Sequence, residues 1–147
     1  LLKLNSSFAF QWVKRFAVDN GGAGLALGLA VTVDEDGNVY SVGQIGETID
    51  LGGGSQILGN QNDAYIVKHD SSGSFQWSKT FGSASQNNID KAQDIVIDSN
   101  GFVIAVGEVE SQNIDFTSVG GEILTNFVTG DNPNFVLKIK SATGLID

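Results

Sequence analysis

Few side chains in this chain are of the kinds that do chemistry, and most of those stand where the sequence repeats itself. His69 is the only histidine. It follows an apolar run, at a position where the repeat places Leu4 and Ile139. A catalytic or ligating imidazole needs convergent partners, and the sequence supplies none, so His69 reads as structural. Asp34-Glu35-Asp36-Gly37-Asn38 has the opening of a calcium loop. A hard cation wants six to eight oxygens and a distal carboxylate. Here the chain passes straight into Val39-Tyr40-Ser41-Val42, and the second copy, Asp98-Ser99-Asn100-Gly101-Phe102, lacks the second acid. A tight hairpin turn accounts for both copies.

Trp12 and Trp77 could be sugar-stacking platforms, but they share one repeat position, each two residues after a phenylalanine, Phe10 and Phe75. Repetition at one register favours packing between units over a single binding site. Lys3, Lys68 and Lys138 share a register too, and read as rim residues whose stems cover apolar surface. Asp94 could face an axial channel, but its counterpart is Ala30, so no ring of carboxylates follows. Asn5-Ser6-Ser7 matches a glycosylation triplet and coincides with a turn. Gly52-Gly53-Gly54 sits among strands, not before a helix, so it is no phosphate loop. The sequence thus assigns no catalytic residue, no metal ligand and no cofactor, and leaves the binding residues unknown.

What must position these side chains is an internal repeat. Phe10-Gln11-Trp12-Val13-Lys14-Arg15-Phe16 returns as Phe75-Gln76-Trp77-Ser78-Lys79-Thr80-Phe81. Val31-Thr32-Val33-Asp34-Glu35-Asp36-Gly37-Asn38 returns as Ile95-Val96-Ile97-Asp98-Ser99-Asn100-Gly101-Phe102. Two blocks recurring at nearly one spacing mark stacked units, each with apolar strands it does not cover alone.

Composition sets the class. The 147 residues include 19 Gly, one Pro, no Met and no Cys. Glycine turns between β-branched runs predict an all-β chain. A formal charge of −9 disfavours nucleic acid and anionic lipid as partners. The absence of cysteine rules out disulfides and thiolate metal sites. The longest apolar-leaning stretch, Ala23 to Val33, is too short to span a bilayer and holds two glycines. Leu1-Leu2-Lys3-Leu4 carries no signal-peptide pattern and reads as the middle of a strand.

The strand pattern is a hairpin, a long connection, a third strand and a fourth. Leu29 to Asp34 and Asn38 to Gly43 form the first hairpin, Tyr65 to His69 the third strand, and Ser74 to Phe81 the fourth. In that fourth strand Phe75, Trp77, Lys79 and Phe81 alternate with polar residues, which predicts one aromatic face. The second copy runs through Asp94 to Asp98, Phe102 to Gly107 and Phe135 to Lys140. Both long connections carry an Ile-Asp-Leu/Phe mark, Ile49-Asp50-Leu51 and Ile114-Asp115-Phe116, then Ile57-Leu58 and Ile123-Leu124. Each predicts a small extra hairpin, tipped by Gly52-Gly53-Gly54 or by Val119-Gly120-Gly121.

Four sequential antiparallel strands per repeat is the pattern of a propeller blade. Residues 1–26 then supply strands three and four of one blade, 27–82 a complete blade, and 83–147 the next blade without its last strand. Trp77-Ser78-Lys79-Thr80-Phe81-Gly82, Ala92-Gln93-Asp94-Ile95-Val96-Ile97-Asp98 and Phe135-Val136-Leu137-Lys138 resemble the bacterial SBBP-type β-propeller repeats, and the strand order resembles NHL-type blades. That resemblance implies four-stranded antiparallel blades within a larger β-propeller, in a secreted or cell-surface bacterial protein. It implies a non-enzymatic scaffold or interaction segment. Its expected partners are further blades of a longer chain or other protein copies, with a surface protein or glycan as external partner, and neither nucleic acid nor membrane insertion. The alternative is a segment of a carbohydrate-binding, hydrolytic or lyase propeller whose site lies outside these residues.

Overall fold

A computed structural model describes residues 1–18, 25–46, 48–56, 62–82, 88–110, 114–119, 123–124 and 134–146. Of the expected hairpin marks, Ile57, Leu58, Gly120 and Gly121 lie outside them. The chain is all-β and antiparallel, and the one helical turn among the described residues is a 3-10 turn at Thr117–Val119.

Strands β1 (Leu2–Leu4) and β2 (Phe10–Val13) form a two-stranded sheet. A four-stranded sheet follows, in the sequential order β4 (Leu25–Val33), β5 (Val39–Gly46), β8 (Asp63–His69), β9 (Phe75–Phe81). The next sheet has three strands, β10 (Lys91–Ile97), β11 (Phe102–Glu108) and β14 (Asn134–Lys140). Ile146 bridges back to Ile139, as Phe75 pairs with His69 and Phe10 with Leu4. Both long connections hold the expected small hairpin: β6 (Ile49–Asp50) with β7 (Ser55–Gln56), and β12 (Ile114–Asp115) with β13 (Ile123–Leu124). One pairing was not foreseen. Strand β3 (Ala17–Val18) joins β6 and ties the chain leaving β2 to the first insertion.

The turns explain why the strands end where they do. Asp34 accepts the Asn38 amide at 2.8 Å on Oδ1, and the Gly37 amide reaches the Asp34 carbonyl at 3.0 Å with Gly37 at φ +80°. Asp98 and Gly101 repeat this arrangement, with Gly101 at φ +78°. A left-handed φ is what a glycine tolerates without a Cβ penalty.

Two cores follow from the layering. Tyr40, Val42, Ala64, Ile66 and Phe81 of the four-stranded sheet bury against Ile95, Val103, Ala105, Phe135, Leu137 and Ile139 of the three-stranded sheet. Phe81 meets the Phe135 ring edge-on at 5.1 Å between centroids. On the other face Ile45, Ile49, Leu51, Tyr65 and Val67 pack with Phe16 and Phe75. Strand β5 is therefore buried along its whole length, whereas β14 alternates between buried and exposed residues. Apolar residues on both faces of a strand are what a strand between two layers requires.

The single aromatic face expected for β9 is overturned. His69 pairs with Phe75 while Lys68 pairs with Trp77, so a bulge at Gln76 inserts one residue between them. A bulge shifts the side-chain alternation by one. Trp77, Lys79 and Phe81 consequently share the face of Ile66, and Phe75 turns to the opposite face, into the second core. Strands β1 and β2 repeat the bulge at Gln11. Asp94, considered for a channel, follows a further bulge in β10 and is exposed, its carboxylate accepting the Ile95 amide at 2.8 Å.

Candidate functional site

The residues that recur at one register converge on the seams between successive sheets. Trp12 donates its indole N–H to the Ser71 carbonyl at 3.1 Å, and Trp77 donates to the Ser141 carbonyl at the same distance. Each serine opens the turn after the third strand of the following sheet. Lys3 reaches the same Ser71 carbonyl at 3.1 Å and the Gly37 carbonyl at 2.7 Å. Lys68 reaches the Ser141 carbonyl at 2.9 Å. A carbonyl has two acceptor directions, and indole and ammonium together occupy both. The lysine ammoniums also lie near aromatic rings, 5.9 Å from Trp12 for Lys3 and 5.1 Å from Tyr40 for Lys68. Lys3 and Lys68 are therefore more than rim residues: they join one sheet to the turn of the next.

Glycine completes each joint. Gly73 (φ +86°) and Gly144 (φ +69°) lie under the indoles, and a Cβ at either would stand 2.9 Å from the ring of Trp12 or Trp77. The two tryptophans occupy equivalent places, as their spacing predicts. Trp12 is buried and Trp77 is half-buried. Lys138, the third lysine of the series, instead pairs with Asp98 at 2.9 Å and lies 4.3 Å from the Phe102 ring.

His69 is buried beside the Trp12 joint, stacked on Phe16 and flanked by Trp12 and Phe75. Neither ring nitrogen makes a hydrogen bond of good geometry. Burial, reinforced by the Lys14 ammonium, holds its pKa below the ordinary value, and the nearby Leu51 backbone pulls weakly the other way. The folded chain thus keeps His69 neutral where the unfolded chain protonates it, so stability falls as pH drops below about 6.5. The repeat equivalents, Leu4 and Ile139, are apolar. His69→Leu is expected to raise the melting temperature, and to raise it more at pH 5.5 than at pH 8. Paired thermal melts at the two pH values check this; a gain that does not depend on pH would show that the imidazole proton plays no part.

Asp34, Asp70 and Asp98, which open three of the turns, are already engaged. Asp34 takes hydrogen bonds from Asn38 and, at 2.9 Å, from the Tyr40 hydroxyl. Burial raises its pKa, but these bonds outweigh burial and hold it below the usual carboxylate range. Asp70 is lowered first by the Ser72 hydroxyl, and Asp98 first by the Phe102 amide and then by Lys138. Asn5 accepts the Ser7 and Ala9 amides in the same turn geometry, at 2.9 Å each. Among the described residues no group of three or more His, Asp or Glu side chains gathers as a metal site.

Sequence reasoning missed a buried acid pair. Asp63 starts β8 and Asp90 precedes β10, and both are buried. Both carboxylates crowd Gly82, where a Cβ would collide with Asp63 Oδ1 and stand 2.9 Å from Asp90 Oδ2. Asp90 accepts the Glu110 amide at 3.0 Å, while Asp63 Oδ1 is left without a partner. Burial first, and the neighbouring Asp90 second, push the Asp63 pKa up to about 7. Neither acid recurs: the register puts Ala26 at the place of Asp90 and Pro133 at that of Asp63. A search for repeats passes over them for that reason. The nonrepeating signal was Gly82, which follows Phe81 where Ala17 follows Phe16.

An open cleft of about 560 Å³ lies between the tail of β2 and strand β4, lined by Lys14, Arg15, Phe16, Leu29, Val31 and Tyr65 among others. Its floor holds the buried Ser41 and Tyr65 hydroxyls, neither with a hydrogen bond of good geometry. Burial pushes the Tyr65 phenol up to about 12, against an opposing pull from Ser41. The cleft exposes the half of the four-stranded sheet that the β1–β2 sheet does not reach, and Leu29 and Val31 are exposed along it.

No helix among the described residues is long and apolar enough to cross a membrane. No protein-family model matches the chain, and no curated protein matches it.

Proposed function

We propose that the chain is a run of β-propeller blades of the SBBP type, serving as a non-enzymatic scaffold or interaction segment of a secreted or cell-surface bacterial protein. The observation that carries this reading is the repeated joint: the same indole, ammonium and turn carbonyl link each sheet to the next. Radially arranged blades need every sheet to meet its neighbour in one way. On this reading the β1–β2 sheet is the outer half of a blade, and the cleft over Ser41 and Tyr65 is the place of that blade's first two strands. The scaffold role is supported by where the chemically capable side chains go. Both tryptophans, two of the three register lysines and the histidine are spent on packing and joints. The insertions carrying β6–β7 and β12–β13 supply the variable surface, since recognition concentrates on loops.

Small-angle scattering from the polypeptide that carries these residues, with a panel of glycoside and polysaccharide substrates incubated alongside, tests both halves. A flat, disc-like envelope and no released product are expected. An extended, solenoid-like envelope would sink the ring, and turnover of any substrate would sink the non-enzymatic role.

A further inference from the structure

The outer face of β10–β11–β14 is built like a covered one. Its residues Val96, Ile104, Val106, Val136 and Lys138 occupy the register of Thr32, Tyr40, Val42, Ile66 and Lys68 in the four-stranded sheet. There Tyr40, Val42 and Ile66 are fully buried beneath the next sheet, whereas Val136 is 76% exposed and Val96 51% exposed. Lys138 stands where Lys3 and Lys68 stand at the two joints within the chain.

At the opposite end of the molecule the turn Asn5–Ala9 is the counterpart of Asp70–Ser74. The two close with the same pair of backbone bonds: Asn5 to Ala9 and Phe8 to Asn5 in one, Asp70 to Ser74 and Gly73 to Asp70 in the other, all at 2.9 Å. Ser6 thus corresponds to Ser71, whose carbonyl receives lysine and tryptophan. The residue at the glycine place, however, is Phe8. It has a φ of +59°, unusual for a residue with a Cβ, and is 84% exposed. Both features are unfavourable in an isolated chain, and such an outlier points to a use. A Cβ at Gly73 or Gly144 would project into the indole, 2.9 Å from its ring atoms. Phe8 therefore projects its side chain into the space where a preceding sheet would place a tryptophan. The outer face of β10–β11–β14 carries no indole among the described residues.

We propose that this face receives the N-terminal turn of a second copy of the chain, with the Phe8 ring filling the vacant indole place and Lys138 reaching the Ser6 carbonyl. The proposal rests on the reading of successive sheets as repeats that share one joint. The two surfaces are different and lie at opposite ends, so the contact is heterologous and adds copies head to tail. Lys138 exchanges its Asp98 partner for a carbonyl, much as Lys68 uses that of Ser141.

Sedimentation velocity on residues 1–147 at physiological salt tests this, with circular dichroism to confirm folding. The wild-type chain is expected to self-associate. Phe8→Gly removes the knob and relieves the left-handed φ, so it should fold at least as well while its dissociation constant rises by roughly tenfold or more, as for a central aromatic anchor. Val136→Glu, on the exposed face, should weaken association similarly. Mixing the two variants should restore one-to-one complexes, because each keeps the half that the other lacks. A monomeric wild type, an F8G chain that associates undiminished, or a mixture that stays monomeric overturns the proposal. The propeller reading, which the scattering envelope tests, stands or falls separately.

Discussion

Trp12→Ala is expected to cost about 3–5 kcal/mol, the range for truncating a buried large aromatic. The indole is buried against Gly73 and makes the hydrogen bond to Ser71 that ties the β1–β2 sheet to the four-stranded sheet. A two-stranded sheet is marginal alone, so losing this joint should free it. Gly73→Ala attacks the same joint from below and should be destabilising for two separable reasons. The first is the φ of +86°, which costs about 1–2 kcal/mol for a residue with a Cβ. The second is the 2.9 Å approach of that Cβ to the indole. In a Trp12→Ala background the second should vanish, leaving the first and a milder 3.2 Å approach to the flexible Lys14 Cε. A double-mutant cycle by urea unfolding isolates the difference. A coupling energy near zero would mean that tryptophan and glycine do not form one joint. So would a loss below about 1 kcal/mol for Trp12→Ala, the size of an ordinary surface change.

The joint shows how far the sequence could be read. The repeat gave the strand order, both insertions and the equivalence of Trp12 with Trp77, because each follows from residues recurring at one spacing. It did not give the bulges at Gln11 and Gln76. A bulge depends on how the partner strand pairs, which alternation within one strand does not report. The spacing puts the lysines in one register but does not show what they hold, since the acceptors of Lys3 and Lys68, Ser71 and Ser141, lie in turns of a different sheet. Asp63 and Asp90 were invisible for the opposite reason. They come from segments 27 residues apart, meet only through tertiary packing, and have no counterparts in the repeat. The repeat thus encodes the architecture, while the buried Asp63–Asp90 pair lies where the repeat is broken.

That break should dominate the neutral-pH stability of the chain. Asp63 has a folded-state pKa of about 7, raised by burial and by Asp90, against about 3.9 in the unfolded chain. Between pH 4 and pH 7 the folded chain holds a proton that the unfolded chain has released. Stability from this group is therefore complete below about pH 4, declines through the interval, and stays low above pH 7. The span corresponds to a few kcal/mol, on the order of 4 at most, because each pKa unit is worth about 1.4 kcal/mol. The turn carboxylates Asp34, Asp70 and Asp98 act in the other direction, since their lowered pKa values withdraw stability only as pH falls through the acid range below about 4. His69 withdraws it below about 6.5, so the Asp63 contribution is best isolated by substitution. Asp63→Asn keeps the shape, removes one of the two charges crowding Gly82, and offers Asp90 an amide donor. The variant is expected to melt roughly 5–10 °C above the wild type at pH 7.5, and within about 2 °C of it at pH 4.5, at the usual few degrees per kcal/mol for a chain of this size. Melting curves of both proteins from pH 4.5 to 8 decide the matter. If the two curves run parallel, Asp63 carries no extra proton in the folded state, and the buried pair is held by neighbours that balance its charge.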